Sequence, residues 1–182
     1  MAGRRSAGEP IGLGGDVMTR VFGAPRELVF EVWTRAEHFR RWFGPHGAEV
    51  VDCELDARPG GIIRFGHRFP DWTVHVKGGF REVVLKERLD FSIGFVDELG
   101  RPGRHPMFPD WPLDAMMECT VTFEAVEGGT RVTVVQSVSP SALASHPSVK
   151  RNLELAREGW SQVLDRLGEH LFTARSQRKH GT

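Results

Sequence analysis

Two polar side chains, His67 and Gln136, fall on what the alternation of the chain makes an apolar sheet face, and they are the first candidates for chemistry. An imidazole titrates near neutrality and can act as acid or base. In an apolar pocket, a few convergent polar groups set the orientation of a bound molecule. Either group buried without a partner costs a few kcal/mol, so each must meet a protein group, a water or a ligand. A satisfied core hydrogen bond and a ligand contact both remain open at this point. His67 is the one candidate for a catalytic role, as a base. Glu118, the nearest carboxylate, falls on the opposite face, so no acid–base pair is visible.

Other chemistries find less support. The cysteines Cys53 and Cys119 show no CxxC spacing, and neither sits at an expected helix N-terminus or in a basic pocket that would stabilise a thiolate. They read as inert free thiols in strands of a reduced, cytoplasmic protein. There is no G-x-S-x-G elbow, and the PGG and EGG stretches are turns instead of phosphate loops. The run RAEHFRRWFGPHG (35–47) places Phe39, Trp42 and Phe43 among arginines and histidines, but His38 and His46 flank a helix end and have no ligand-like spacing for a metal. No cofactor is expected. Lys plus Arg and Asp plus Glu balance at 24 each, which leaves no global field for nucleic acid or an anionic membrane. No apolar run is long enough for membrane insertion.

The elements that must position these residues follow from periodicity. Residues 1–15 read as a flexible leader and 174–182 as a basic flexible tail, with a single domain over 16–173. DVMTRVF (16–22) is a strand. Pro25 opens a helix carrying Leu28, Val29, Val32 and Trp33 on one face, and AEHFRRWF forms a second short helix that Gly44-Pro45 ends. Six further strand signals follow, at 48–56, 61–69, 72–80, 88–96, 114–126 and 130–138. A long helix over about Pro147–Thr173 then presents Leu153, Ala156, Trp160, Val163, Leu164, Leu167 and Leu171 as one stripe. With Pro70-Asp71 as a two-residue turn, His67 opposes Val74 and Phe65 opposes Val76. Ile63, Phe65, His67, Phe69, Trp72, Val74 and Val76 then share a face. With Gly128-Gly129 as the last turn, Phe123 opposes Val134, Val121 opposes Gln136 and Cys119 opposes Val138. Leu89, Phe91, Ile93 and Phe95 add to the apolar face, and Trp160 is expected to meet Phe91 across the interior.

A curved sheet wider than one helix cannot be filled by that helix alone, so the helix pair and the proline-rich loop 97–113 must plug the gap or leave a cavity. A loop of this length is expected to be a cover or a mobile segment at the pocket mouth. On this reading RAEHFRRWFGPHG is wall and rim, with Phe39 and Trp42 inward; the alternative is that both aromatics are core plugs.

The order of elements resembles the helix-grip fold of START-like and pollen-allergen-like proteins, the SRPBCC superfamily. That fold is α+β, a curved antiparallel sheet of six or seven strands wrapped around a long C-terminal helix, with two short helices after the first strand. Within it, TRVFGAPRELVFEVWT, RWFGP, DARPGG, EGGTRVTV and EGWSQVLDRLGEHL resemble the AHSA family, homologues of the activator of the ninety-kilodalton heat-shock chaperone's ATPase. The resemblance implies a binding protein for a small hydrophobic or aromatic molecule, held between sheet and long helix. The expected lining is Trp33, Phe39, Trp42, Phe65, His67, Trp72, Val74, Phe91, Phe95, Met117, Cys119, Gln136, Trp160 and Leu164. It also leaves two alternatives, a cyclase- or aromatase-like enzyme using the same cavity and a co-chaperone acting through its surface. A homodimer is compatible with the sequence.

Overall fold

The computed structural model describes residues 16–138 and 147–180, and among them strand alternation and helical apolar spacing build one antiparallel sheet and three helices. The expected leader lies outside the described residues. Strand β1 (Asp16–Phe22) leads into α1 (Arg26–Thr34) and α2 (Ala36–Trp42). Six strands follow: β2 (Glu49–Leu55), β3 (Ile62–Arg68), β4 (Thr73–Val84), β5 (Arg88–Val96), β6 (Met117–Val126) and β7 (Gly129–Val138). The long helix α3 (Pro147–His180) closes the fold. The sheet order is β1-β7-β6-β5-β4-β3-β2, every pair antiparallel. The sheet is therefore an open, curved half-barrel around α3, with the helix pair between its first two strands.

The β3–β4 hairpin has the expected register. His67 pairs with Val74 and Phe65 with Val76, and the Phe69 amide donates to the Trp72 carbonyl at 2.8 Å across Pro70-Asp71. The β6–β7 hairpin departs from the expected register by two residues. Its turn is Glu127-Gly128, with Gly128 at φ 81°, and Gly129 already pairs with Val126. Consequently Phe123 opposes Val132, Val121 opposes Val134 and Cys119 opposes Gln136. A shift of two preserves the face of every side chain, because the strand period is two. Cys119, Val121, Phe123, Val132, Val134 and Gln136 are accordingly all buried.

Helix α3 continues to His180, past the expected end at Thr173. Ala174 is buried, the Arg175 guanidinium donates to the Gly23 carbonyl and Arg178 pairs with Glu31, so residues read as a tail are attached to the body. The convex side of the sheet carries an ion-pair network in which Arg81 bridges Asp90 and Glu118, and Arg88 reaches Asp90 and Glu82. Glu118 is thus on the outer face. Among the described residues, no helix is long and apolar enough to cross a membrane.

Both cysteines are unpaired, Cys119 fully buried and Cys53 half-buried in β2. Burial pushes the Cys119 thiol up to about 12 and also raises that of Cys53. A thiol reagent should therefore label Cys53 slowly and Cys119 not at all in the native protein, and both after denaturation. Fewer than two thiols in the denatured, unreduced chain would contradict free cysteines.

Candidate functional site

The inner face of β3–β5 is not wholly covered by α3, and a cavity of about 370 Å³ remains between them. Its sheet wall comprises Phe65, His67, Phe69, Trp72, Val74, Val76, Ile93 and Phe95, with Met117 and Gln136 deeper along the sheet. Helix α3 contributes Leu155, Ala156, Glu158, Gly159, Trp160, Gln162 and Val163, and the loop after β5 supplies His105, Met107 and Phe108. Phe43 and Pro45 close the remaining side. Two further depressions, of about 400 and 440 Å³, occur around Gly23 and Ala24; the first has no aromatic side chain in its lining, and the second is lined by Phe22, Leu171 and Phe172 beside Arg175 and Ser176.

Backbone geometry positions His67. Its Nε2 lies 3.1 Å from the Phe43 carbonyl oxygen, and its ring packs at 5.0 Å from Phe65. Gly44, at φ 147°, permits this approach: a Cβ there would stand 3.0 Å from His67 Nε2. Burial lowers the His67 pKa to about 4. The Phe43 carbonyl opposes the shift, and Arg166 and His105 add to it. The ring is therefore neutral at pH 7. A carbonyl oxygen only accepts, so Nε2 carries the hydrogen and Nδ1 is left as an acceptor.

Gln136 is 4 % exposed and largely committed to protein partners. Its Oε1 accepts the Trp160 indole N–H at 2.9 Å, and its Nε2 lies 3.5 Å from the Met117 sulfur. His105 is the second neutral imidazole of the cavity, its pKa lowered by burial to about 4. Its Nδ1 accepts the Met107 amide at 3.1 Å, which places its hydrogen on Nε2. The His105 ring stands 5.5 Å from Trp72, 4.9 Å from Phe95 and 4.5 Å from Phe108. These contacts fold part of the 97–113 loop over the cavity mouth. The loop is also tied by the Val96–Pro102 bridge and by buried Trp111, whose indole N–H donates to Ala115 O at 3.4 Å.

Of the residues expected to line the cavity, Phe65, His67, Trp72, Val74, Phe95, Met117, Gln136 and Trp160 do so. Trp33, Phe39, Trp42, Phe91, Cys119 and Leu164 are core residues behind it. The reason is the helix pair, which fills one end of the half-barrel. Trp42 sits edge-on to Trp33 at 4.8 Å and donates its indole N–H to Val32 O at 3.0 Å. Phe39 stacks on Phe43 at 4.1 Å, so Phe43 and Pro45 form the wall from RAEHFRRWFGPHG, while Phe39 and Trp42 are plugs. Trp160 stacks on Trp33 instead of meeting Phe91, which packs edge-on to Phe80.

The sequence places the run 35–47 and the 97–113 loop at the cavity but does not single out Phe43, Pro45, His105, Met107 and Phe108, whose placement depends on long-range loop geometry. Nor does it single out Arg166, which fastens the GP loop to α3. Arg166 Nη1 donates to the carbonyls of Gly44, Pro45 and Ala48 at 3.0, 3.0 and 3.1 Å, and Nη2 donates to that of Arg41 at 3.3 Å. His38 meets His170 at 2.9 Å, a pairing across 132 positions that no local spacing signals. Among the described residues, no group of three or more His, Cys, Asp or Glu side chains is arranged to hold a metal ion.

Solved structures share this architecture. A protein from Chromobacterium violaceum is 24% identical, with 87% of this chain and 96% of that one covered at a TM-score of 0.66. One from Arthrobacter aurescens is 20% identical over 92% and 91% of the chains, with a TM-score of 0.74. The AHSA1 protein from Silicibacter pomeroyi is 18% identical over 88% and 99%, with a TM-score of 0.68. At these identities the likeness concerns the fold. No curated protein matches the chain. The family described as "Activator of Hsp90 ATPase homolog 1-like protein" matches residues 23–171, from just past β1 to Leu171 at the end of the apolar stripe on α3, and the chain belongs to that family.

Proposed function

We propose that the protein binds a small apolar or aromatic molecule in the cavity between β3–β5 and α3. The observation that carries this reading is the cavity itself, about 370 Å³ and walled chiefly by aromatic and aliphatic side chains. Its size and its sparse polar groups are those of a small-molecule site. Phe69 and Trp72 stack at 4.1 Å on the β3–β4 hairpin, beside the mouth, and offer a flat apolar surface to a ring.

A cyclase-like reaction would require His67 to take a proton near pH 7. An imidazole with a pKa of about 4 is a poor base there, because catalytic efficiency favours a pKa close to the working pH. His67 is better suited to accept a hydrogen bond from a bound molecule than to remove its proton. This favours binding over turnover.

A neutral naphthalene fluorophore should bind saturably with one molecule per chain. Ala156→Trp, which extends an indole from α3 into the cavity, should weaken that binding at least tenfold, about 1.4 kcal/mol, while circular dichroism reports an intact fold. Unsaturable binding, or equal affinity in a folded Ala156→Trp variant, would refute the site.

A further inference from the structure

Resting on this cavity reading, we infer that the site selects an uncharged aromatic alcohol, whose hydroxyl donates a hydrogen bond to His67 Nδ1. The first ground is the tautomer. His67 Nε2 is committed as a donor to the Phe43 carbonyl at 3.1 Å. Turning the ring over would replace that N–H with a carbon and lose the bond. The Nδ1 lone pair thus faces its surroundings as an acceptor, and no described residue supplies it with a donor.

The second ground is the state of the other polar groups in the wall. Gln136 Oε1 holds the Trp160 N–H, Gln162 Oε1 accepts the His46 amide at 3.0 Å, and His105 Nδ1 accepts the Met107 amide. Each of these acceptors already has a protein donor. His67 Nδ1 is the one acceptor among these ring and amide groups without one among the described residues, so a ligand gains most by bringing a donor to it.

Charge disfavours ionised ligands. Among the described residues, the cavity wall contains no Lys or Arg, and its one carboxyl side chain is the exposed Glu158 on α3. A carboxylate ligand would lose its hydration with no cation to meet it. An ammonium ligand could meet a carboxyl only at the exposed Glu158, and at His67 it would enter desolvating surroundings near the Arg166 guanidinium, whose charge His67 already senses. A hydroxyl on an aromatic ring supplies the donor without either penalty, and the ring fits the apolar walls.

Four probes of one ring system test this: 2-naphthol, 2-methoxynaphthalene, naphthalene and 2-naphthoate, with affinities measured by calorimetry on the full chain. 2-Naphthol should bind about tenfold more tightly than either 2-methoxynaphthalene or naphthalene, and 2-naphthoate should bind more weakly than naphthalene. In His67→Phe the preference for 2-naphthol over naphthalene should vanish. Nitrogen NMR of the ligand-free wild-type protein should find His67 Nδ1 unprotonated, a readout independent of any variant. Naphthalene binding as tightly as 2-naphthol would leave the cavity reading standing and overturn the donor assignment, as would tighter binding of 2-naphthoate or a protonated Nδ1. Saturable binding by none of the four would instead remove the cavity reading, and the inference with it.

Discussion

Trp160→Ala should destabilise the protein by roughly 3–5 kcal/mol, the range for removing a buried aromatic from a packed core. Trp160 is 6 % exposed, stacks on Trp33 at 6.3 Å between ring centroids and meets Phe43 edge-on at 5.7 Å. It also satisfies Gln136. The comparison with phenylalanine separates packing from hydrogen bonding, because Trp160→Phe and Trp33→Phe delete the same atoms. Trp33 is 2 % exposed, and its indole N–H is buried without a partner among the described residues. Trp33→Phe therefore removes a polar group that is already unsatisfied, which offsets part of the lost packing. Trp160→Phe does the opposite and strands Gln136 Oε1 in the core, at a cost of about 1–3 kcal/mol for a buried orphaned acceptor. Urea unfolding should thus place Trp160→Phe below Trp33→Phe by about that margin. The reverse order would mean that packing around Trp33 outweighs the Trp160–Gln136 hydrogen bond.

How far the site was legible depends on whether its residues were fixed by local or by distant geometry. Pro70-Asp71 is a two-residue turn, and that alone assigns parity to Phe65, His67, Trp72 and Val74. The β6–β7 turn falls one residue earlier than expected, which shifts the pairing register by two, and Gln136 still points inward because the strand period is two. The stripe on α3 followed from helical spacing, and Leu153, Trp160, Val163, Leu164, Leu167 and Leu171 are buried. Periodicity identifies the inward face but not the depth at which a side chain stops. Leu164 and Trp160 lie on one stripe, and only Trp160 reaches the cavity. Trp33, Phe39 and Trp42 pack into the plug because α1 and α2 lean on one another, a contact with no sequence period. His105 and Phe108 come from an irregular loop, whose path is set by its contacts with Trp72 and Phe95. The Arg166 clasp joins residues more than a hundred positions apart.

Stability should fall as the pH drops from 6.5 towards 4, before general carboxylate protonation begins to dominate. In that window the unfolded chain binds a proton at residue 67 that the folded chain refuses, because burial holds the native ring at about 4. Stability rises with pH wherever the unfolded state binds more protons, so the His67 contribution is fully present above 6.5 and is lost on acidification through the folded value. The gap between 6.5 and about 4 corresponds to on the order of 3 kcal/mol. Burial also lowers the pKa of His105 to about 4 and depresses that of His170, the latter with help from His38 and Arg41, so both act in the same direction. Glu27 and Asp97 are lowered as well, the first by its backbone hydrogen bond and the second by Arg101. Their contributions are lost only at more acidic pH, which separates them from the imidazoles. His67→Phe isolates the residue of interest: the variant has lost the Phe43 carbonyl's partner and starts from a different stability, but its pH slope should be shallower by up to one proton between 6.5 and 4. Urea unfolding at half-unit pH steps reads that slope directly. An unchanged slope in His67→Phe would mean that native His67 takes up its proton as readily as the unfolded chain, and that its ring stands in water instead of in the cavity wall.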